Sequence, residues 1–279
     1  MIKRAGVEVS TPRTKNVSIA KSTLSILENK GYVSRNGSLV DLKEVLDAAV
    51  EGTEYYPAGT EFETKASHIF PFIEVVNETT AQAAVRLQAA GKENIVALNF
   101  ASARNQCGGW LQGAQAQEED LARCSGLYAC VKKKPLFYNA NILCDDTFYT
   151  DGIIYSPKVP FFRDEYLLLL EEPFLLSLIT APAPNVSSLT KLGTLDKELQ
   201  EAVFIIRATK VLQVAAKHGH KNIILGAWGC GAFGNDPEVV TQAFIHALRA
   251  VPQFNHVCFA VYDTREPPVL FETFQRNMK

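Results

Sequence analysis

The chain lacks an apolar run long enough to cross a membrane: its longest, Tyr166 to Ile179, is broken by Glu171, Glu172 and Pro173. The N-terminal Met1-Ile2-Lys3-Arg4-Ala5-Gly6 does not lead into the apolar stretch of a secretory signal, so none is expected. A signal for a specialised secretion system would leave no trace in composition. Cysteine is sparse and unpatterned. Cys107, Cys124, Cys130, Cys144, Cys230 and Cys258 contain no Cys-x-x-Cys spacing, which argues against a disulfide scaffold and for a reduced, cytoplasmic setting. His68, His218, His220, His246 and His256 do not fall with acids or cysteines at zinc spacing, and neither a metal nor a cofactor is expected. His218-Gly219-His220 reads as a helix cap.

Clustered positive charge is also missing. With a net charge of −2, the chain has one basic run, Lys132-Lys133-Lys134, which reads as a solvated helix end. Broad electrostatic binding to DNA or RNA is therefore excluded as an expectation. No Lys-Ser/Thr follows the glycines at 229–234, so the loop is not a Walker loop, and no acidic residue ends the next strand as a dinucleotide site requires. An anion can still be held by backbone N–H groups.

What is present is enough apolar material, 47% of 279 residues, to bury a full core without staples. Residues 19–30 and 41–50 carry helix spacing, separated by a turn at Gly31 and Asn36-Gly37. From about residue 70 strands and helices alternate. Strands are read at Phe72–Val76, Ile95–Phe100, Ile153–Tyr155, Leu175–Thr180, Ile223–Trp228 and His256–Tyr262. Helices are read at Thr79–Ala90, Glu118–Val131, Asp196–His218 and Glu238–Ala250. The expectation is an α/β protein, a three-layer α/β/α mixed sheet, with residues 1–70 as a helical extension packed on a main domain at 71–279. A monomer is expected.

Two glycine-bearing loops leave strand carboxyl ends, where open sheets gather ligands. The first lies in the stretch from Asn99 to Arg123: Cys107-Gly108-Gly109, then Gln117-Glu118-Glu119 at a helix start. The second, Gly229-Cys230-Gly231-Ala232-Phe233-Gly234-Asn235, runs from a strand into a helix that begins near Asp236-Pro237, an order suited to phosphate. Each has a plainer reading. The two acids serve a helix dipole equally well, three glycines make a tight turn, Phe233 fills a core, and Asn99 satisfies backbone at a strand end. Adjacent on a helix, Glu118 and Glu119 diverge by about 100°. They do not form the opposed carboxyl pair, ~5 Å or more apart, of most glycosidases. A helix start lowers carboxyl pKa values and burial raises them, so their balance decides which acid holds a proton.

The same stretch resembles the microbial-type poly(ADP-ribose) glycohydrolases, a macrodomain-like family with a triple glycine followed at six to eight residues by Gln-Glu-Glu. The similarity continues through Ile154-Tyr155-Ser156-Pro157, Phe162-Arg163-Asp164, Thr180 to Asn185 and Leu225 to Asn235, and around Ala20 to Pro57. It implies a hydrolase that cleaves the ribose–ribose O-glycosidic bond of poly(ADP-ribose), with ADP-ribose polymer or ADP-ribosylated protein as partner. It assigns Glu119 as the acid that protonates the leaving oxygen and Glu118 as holder of a ribose hydroxyl. Asn99 and Phe233 would meet the distal ribose, and Gly108, Gly109, Gly229, Cys230, Gly231, Ala232 and Gly234 the diphosphate. Gln117 and Asn105 are lesser candidates. Cys107 departs from the pattern, standing where the first glycine belongs; a positive φ or a close phosphate there would set its Cβ and sulfur against the site. The sequence leaves three alternatives open: a hydrolase of single ADP-ribose units, a module that binds ADP-ribose without cutting it, and a housekeeping enzyme acting on a small ADP-ribose derivative.

Overall fold

The computed structural model describes residues 11–63 and 71–279, so the expectations placed on Met1–Gly6, His68 and the boundary at 70 lie outside the described residues. A seven-stranded mixed sheet organises the chain, in the order β3 (Glu54–Tyr56), β6 (Ile153–Arg163), β7 (Leu169–Ala181), β5 (Ile95–Phe100), β8 (Asn222–Leu225), β9 (His256–Ala260), β4 (Phe72–Val76). From β7 to β4 neighbours run parallel, while β3, β6 and β7 are antiparallel. A separate hairpin joins β1 (Gly31–Val33) to β2 (Leu39–Asp41) where the sequence suggested only a turn.

Alternate residues of each strand feed opposite cores, as a sheet covered on both faces requires. Val96, Leu98, Ile223, Leu225, Val257 and Phe259 face α8 (Lys197–Lys217), α9 (Pro237–Ala250) and α10 (Val269–Asn277). Ile95, Ala97, Ile224 and Cys258 face α3 (Thr80–Ala89), α4 (Gln117–Cys124), α5 (Leu127–Lys132) and α6 (Pro135–Ile142). A short helix, α7 (Ser187–Leu192), follows the loop after β7, and α2 (Lys43–Glu51) packs on β6 and α5.

The single helix expected at Glu118–Val131 is interrupted. Ser125 is extended and bridges to Phe161, and Gly126 donates its N–H to the Pro160 carbonyl at 2.9 Å, so β6 takes the two residues out of the helix. Strand β6 is far longer than the three residues expected, and its register shifts between Ser156 and Val159, the place at which Pro157 is tolerated. Strand β8 stops at Leu225 rather than Trp228.

The N-terminal part contributes more than an outer layer. Strand β3 pairs with β6 inside the main sheet, so the residues before 71 share the sheet of those after it. Helix α1 (Pro12–Asn29), capped by the Thr11 hydroxyl, lies on the first glycine loop. Arg13 Nε donates to Gln112 O at 3.0 Å and Thr23 Oγ1 to Arg123 O at 2.7 Å. Gly113 has φ +79°, and a Cβ there would stand 2.5 Å from Arg13 O. We expect Gly113→Ala to push α1 off the loop and to destabilise the protein by about 1–3 kcal/mol, seen as a lowered melting temperature. An unchanged melt would show that α1 docks loosely.

Candidate active site

Sheet order decides which loops can meet. The loops after β5, β7 and β8 emerge side by side from parallel strands, and the segment that enters antiparallel β6 joins them at the same end. The two glycine loops are therefore neighbours, with 182–186 and 144–152 alongside.

Helix α4 begins under the first loop and is fixed there by Gln117. The Gln117 amide accepts from Phe100 N at 2.8 Å and donates to Leu98 O at 2.7 Å and Thr80 Oγ1 at 3.0 Å. Both amide hydrogens are thus committed to the fold, and the side chain clamps the helix to β5 and α3. Arg123, fully buried, ties the far end by an ion pair with Asp120 and a 2.7 Å bond to Ala114 O.

The two acids then part company. Glu118 turns inward and is 3% exposed; its Oε2 accepts from Ser102 N at 2.7 Å and its Oε1 from Asn99 Nδ2 at 3.1 Å. Burial pushes its pKa up to about 8, against the lowering effect of those two donors and with a further push from Glu119. Glu119 is half-buried and accepts from Gly109 N at 3.0 Å. Both carboxyl groups lie against Gly108: a Cβ on that residue would meet Glu119 Oε1 at 2.3 Å and Glu118 Oε2 at 3.3 Å. Glycine is required there for two reasons, its φ of +59° and the space the acids occupy.

Cys107 does have the left-handed backbone that the glycine pattern implied, φ 56°, and so carries a strain of order 1 kcal/mol. Its sulfur, however, is turned into the core among Trp110, Leu121 and Cys130, fully buried, and burial holds the thiol well above its ordinary pKa. Cys230 packs on the opposite core and its thiol is pushed up to about 12, so the two cysteines do not face each other across one crevice.

Gly108 and Gly109 do not hold out bare N–H groups as expected: Gly108 N donates to Asn105 O at 3.0 Å, and Gly109 N is taken by Glu119. In the second loop the N–H groups of Cys230, Gly234 and Asn235 close the turn, whereas those of Gly231, Ala232 and Phe233 make no hydrogen bond within the described residues. Three successive unpaired donors at a strand-to-helix turn form an anion nest. Asn235 braces the turn, donating to Gly229 O at 3.0 Å and Pro184 O at 2.8 Å. Gly229 has no room for a side chain, since a Cβ would stand 2.5 Å from Ala183 Cβ.

Asn99 is fully buried and donates to both Glu118 and Thr180 Oγ1, the latter at 3.1 Å, while its Oδ1 has no partner among the described residues. It therefore orients Glu118. Asn105 is exposed on the loop. Phe233 is half-buried, between the core and the crevice, with its ring 6.2 Å from that of Tyr149.

Tyr149 escaped the sequence reading. It stands between the loops, with Phe233 on one side and the Arg104 guanidinium 5.5 Å from its ring on the other. Its backbone is left-handed, φ 62°, and buried Arg207 holds it by bonds to Phe148 O and Tyr149 O. Nothing local in the sequence marks such a residue, because the group that fixes it lies 58 residues away. Among the described residues no cluster of His, Cys, Asp or Glu has the makings of a metal site.

Residues 20–164 match the sequence family of the microbial-type PARG catalytic domain. No curated protein sequence matches the chain. Among solved structures, the poly(ADP-ribose) glycohydrolase of Thermomonospora curvata bound to the inhibitor ADP-HPD is similar at 40% identity and a TM-score of 0.86, covering 95% of this chain and 99% of that one. The poly(ADP-ribose) glycohydrolase of Deinococcus radiodurans in complex with ADP-ribose is similar at 38% identity and a TM-score of 0.74, covering 84% of this chain and 97% of that one.

The raised pKa of Glu118 has a consequence for stability. From the unfolded value near 4.5 up to about 8 the folded protein binds the proton that the unfolded chain releases, so stability falls as pH rises through that window. Glu118→Gln removes the effect. Its melting temperature should gain on the parent's progressively between pH 5 and pH 8, by up to a few kcal/mol in stability at about 1.4 kcal/mol per pH unit. A flat difference across the window would mean that the carboxyl is ionised in the folded protein.

Proposed function

This chain belongs to the microbial-type poly(ADP-ribose) glycohydrolase family, and on that premise we propose that it hydrolyses the ribose–ribose bond of poly(ADP-ribose) and releases ADP-ribose. The contact of Gly108 with both acids carries the reading: the loop that closes over a sugar is the loop that positions a carboxyl group on it. The names of the solved relatives, glycohydrolases held with ADP-ribose and with an inhibitor, support the same chemistry.

In this reading the diphosphate rests on the free N–H groups of Gly231, Ala232 and Phe233, with Gly229 and Gly234 shaping the turn and Cys230 behind it. Phe233 and Tyr149 press on the distal ribose. Glu119 protonates the departing ribose oxygen, an oxocarbenium-like carbon develops, and water attacks it; the Glu119 carboxylate then takes the proton of that water. One acid suffices because Glu118, neutral below pH 8, repels neither the diphosphate nor the carboxylate that Glu119 becomes as it gives up its proton. Asn99 and Gln117 hold the pair in place.

The position at 107 agrees with catalysis, since the cysteine side chain is fully buried and exposes nothing to the crevice. We read residues 11–63 as a brace for the first loop, the fold as macrodomain-like, and the working environment as the reducing cytoplasm, in keeping with six free cysteines.

Glu119→Gln keeps the shape and removes the proton. Release of ADP-ribose from polymer should fall by at least a hundredfold, and survival within about tenfold, ~1.4 kcal/mol of barrier, would sink the assignment. Automodified polymer and singly modified protein are to be assayed side by side. Polymer is expected to be consumed down to its last protein-linked unit; release of that unit at an equal rate would favour the hydrolase of single units instead.

A further inference from the structure

A second cavity adjoins the first glycine loop outside the crevice described above. It has a volume of about 360 Å3 and lies between Arg104–Gln112 and helices α5 and α6, with no residue of the 229–235 loop in its wall. That is the low end of the range of small-molecule sites. Gly108 belongs to both places: its missing Cβ falls on Glu119 Oε1, and its backbone lines the cavity.

The wall is chemically unfinished. Trp110 and Tyr138 are 1% and 4% exposed; Trp110 Nε1 finds no hydrogen-bond partner among the described residues, and the Tyr138 hydroxyl meets only the backbone of Cys107. Buried donors of this kind are normally satisfied. The Tyr128 ring, 5.0 Å from that of Trp110, adds a half-buried aromatic face, and Arg104 is the one cation of the lining. Arg104 stands where cavity and crevice meet, since its guanidinium also packs on Tyr149. None of these groups has a part in holding the distal ADP-ribose.

We propose that this cavity is the subsite for the leaving side of the bond, the second ADP-ribose unit of the polymer, whose ribose oxygen receives the proton from Glu119. That unit must leave the acid on a side not occupied by the diphosphate nest, and Gly108 connects the acid to this cavity. Its chemistry matches the wall: a base for the aromatic face, a ribose rich in acceptors for the indole and phenol donors, and a diphosphate for Arg104. The protein has a net charge of −2, so a polyanion gains nothing from overall charge and needs such a local cation. The assignment rests on the reading of the chain as a polymer hydrolase and extends it to substrate length.

Asn139→Trp and Ile142→Trp, both on the exposed face of α6, fill the cavity from the wall opposite the first glycine loop and change no residue of that loop. Two substrates separate the possibilities: purified poly(ADP-ribose), and ADP-ribose bearing a small aryl group on the anomeric oxygen, which has the distal unit but no second nucleotide. For variants that melt as the parent does, KM for polymer is expected to rise about tenfold while kcat and KM for the aryl compound stay within twofold. An unchanged KM for polymer overturns the subsite, as does a parallel change on both substrates. A parent protein that cleaves the aryl compound but not polymer, or cleaves neither, overturns the polymer reading itself and the subsite with it.

Discussion

A carboxyl group kept out of water at the first turn of a helix is the constraint on which the site depends. Helix α4 offers Glu118 a favourable dipole, and Ser102 and Asn99 offer it hydrogen bonds, all of which stabilise the anion. Burial opposes them and is the larger effect, so the group holds its proton to about pH 8. The consequence is electrostatic. A diphosphate already brings negative charge to the crevice, and two ionised acids beside it would repel it and each other; with Glu118 neutral, only the carboxylate formed at Glu119 when it gives up its proton has to be tolerated.

Such an arrangement works only if the helix start cannot move, and much of the surrounding structure prevents that. Gln117 spans from α4 to β5 and α3, buried Arg123 joins Asp120 to Ala114, and α1 closes over the loop through Arg13 and Thr23. Groups from four elements thus act on a stretch of some two dozen residues. The N-terminal helix, remote in sequence, is part of what keeps the first loop in place, while β3 ties the same segment into the sheet.

The parts of this that were legible in the sequence are those set by local pattern. Strands at Phe72–Val76 and Ile95–Phe100 end as read, because apolar runs there are bounded by turn formers or glycine. The two loops were located by glycine, and their adjacency followed from the alternation of strands and helices. What stayed hidden depends on distant partners. The break at Ser125-Gly126 needs the Pro160 carbonyl, β3 needs the β6 edge, and Tyr149 needs Arg207. The direction of the Cys107 sulfur was hidden for the same reason: a left-handed residue points its side chain according to the loop around it, and only the packing of Trp110, Leu121 and Cys130 shows that the core receives it.

Glycine-rich loops that look alike in sequence have come to do different things here. In the first, the backbone donors of Gly108 and Gly109 are already paired, one with Asn105 and one with the Glu119 carboxyl group. An anion placed on them would have to break both hydrogen bonds, each worth about 0.5–1.5 kcal/mol net, and displace the Glu119 carboxyl group. In the second, the donors of Gly231, Ala232 and Phe233 face no protein acceptor, so an anion there replaces only water. The difference fixes polarity along the crevice. Negative charge settles on the second loop and the proton donor stays on the first, so a substrate with a diphosphate at one end and an anomeric carbon at the other can lie in only one direction.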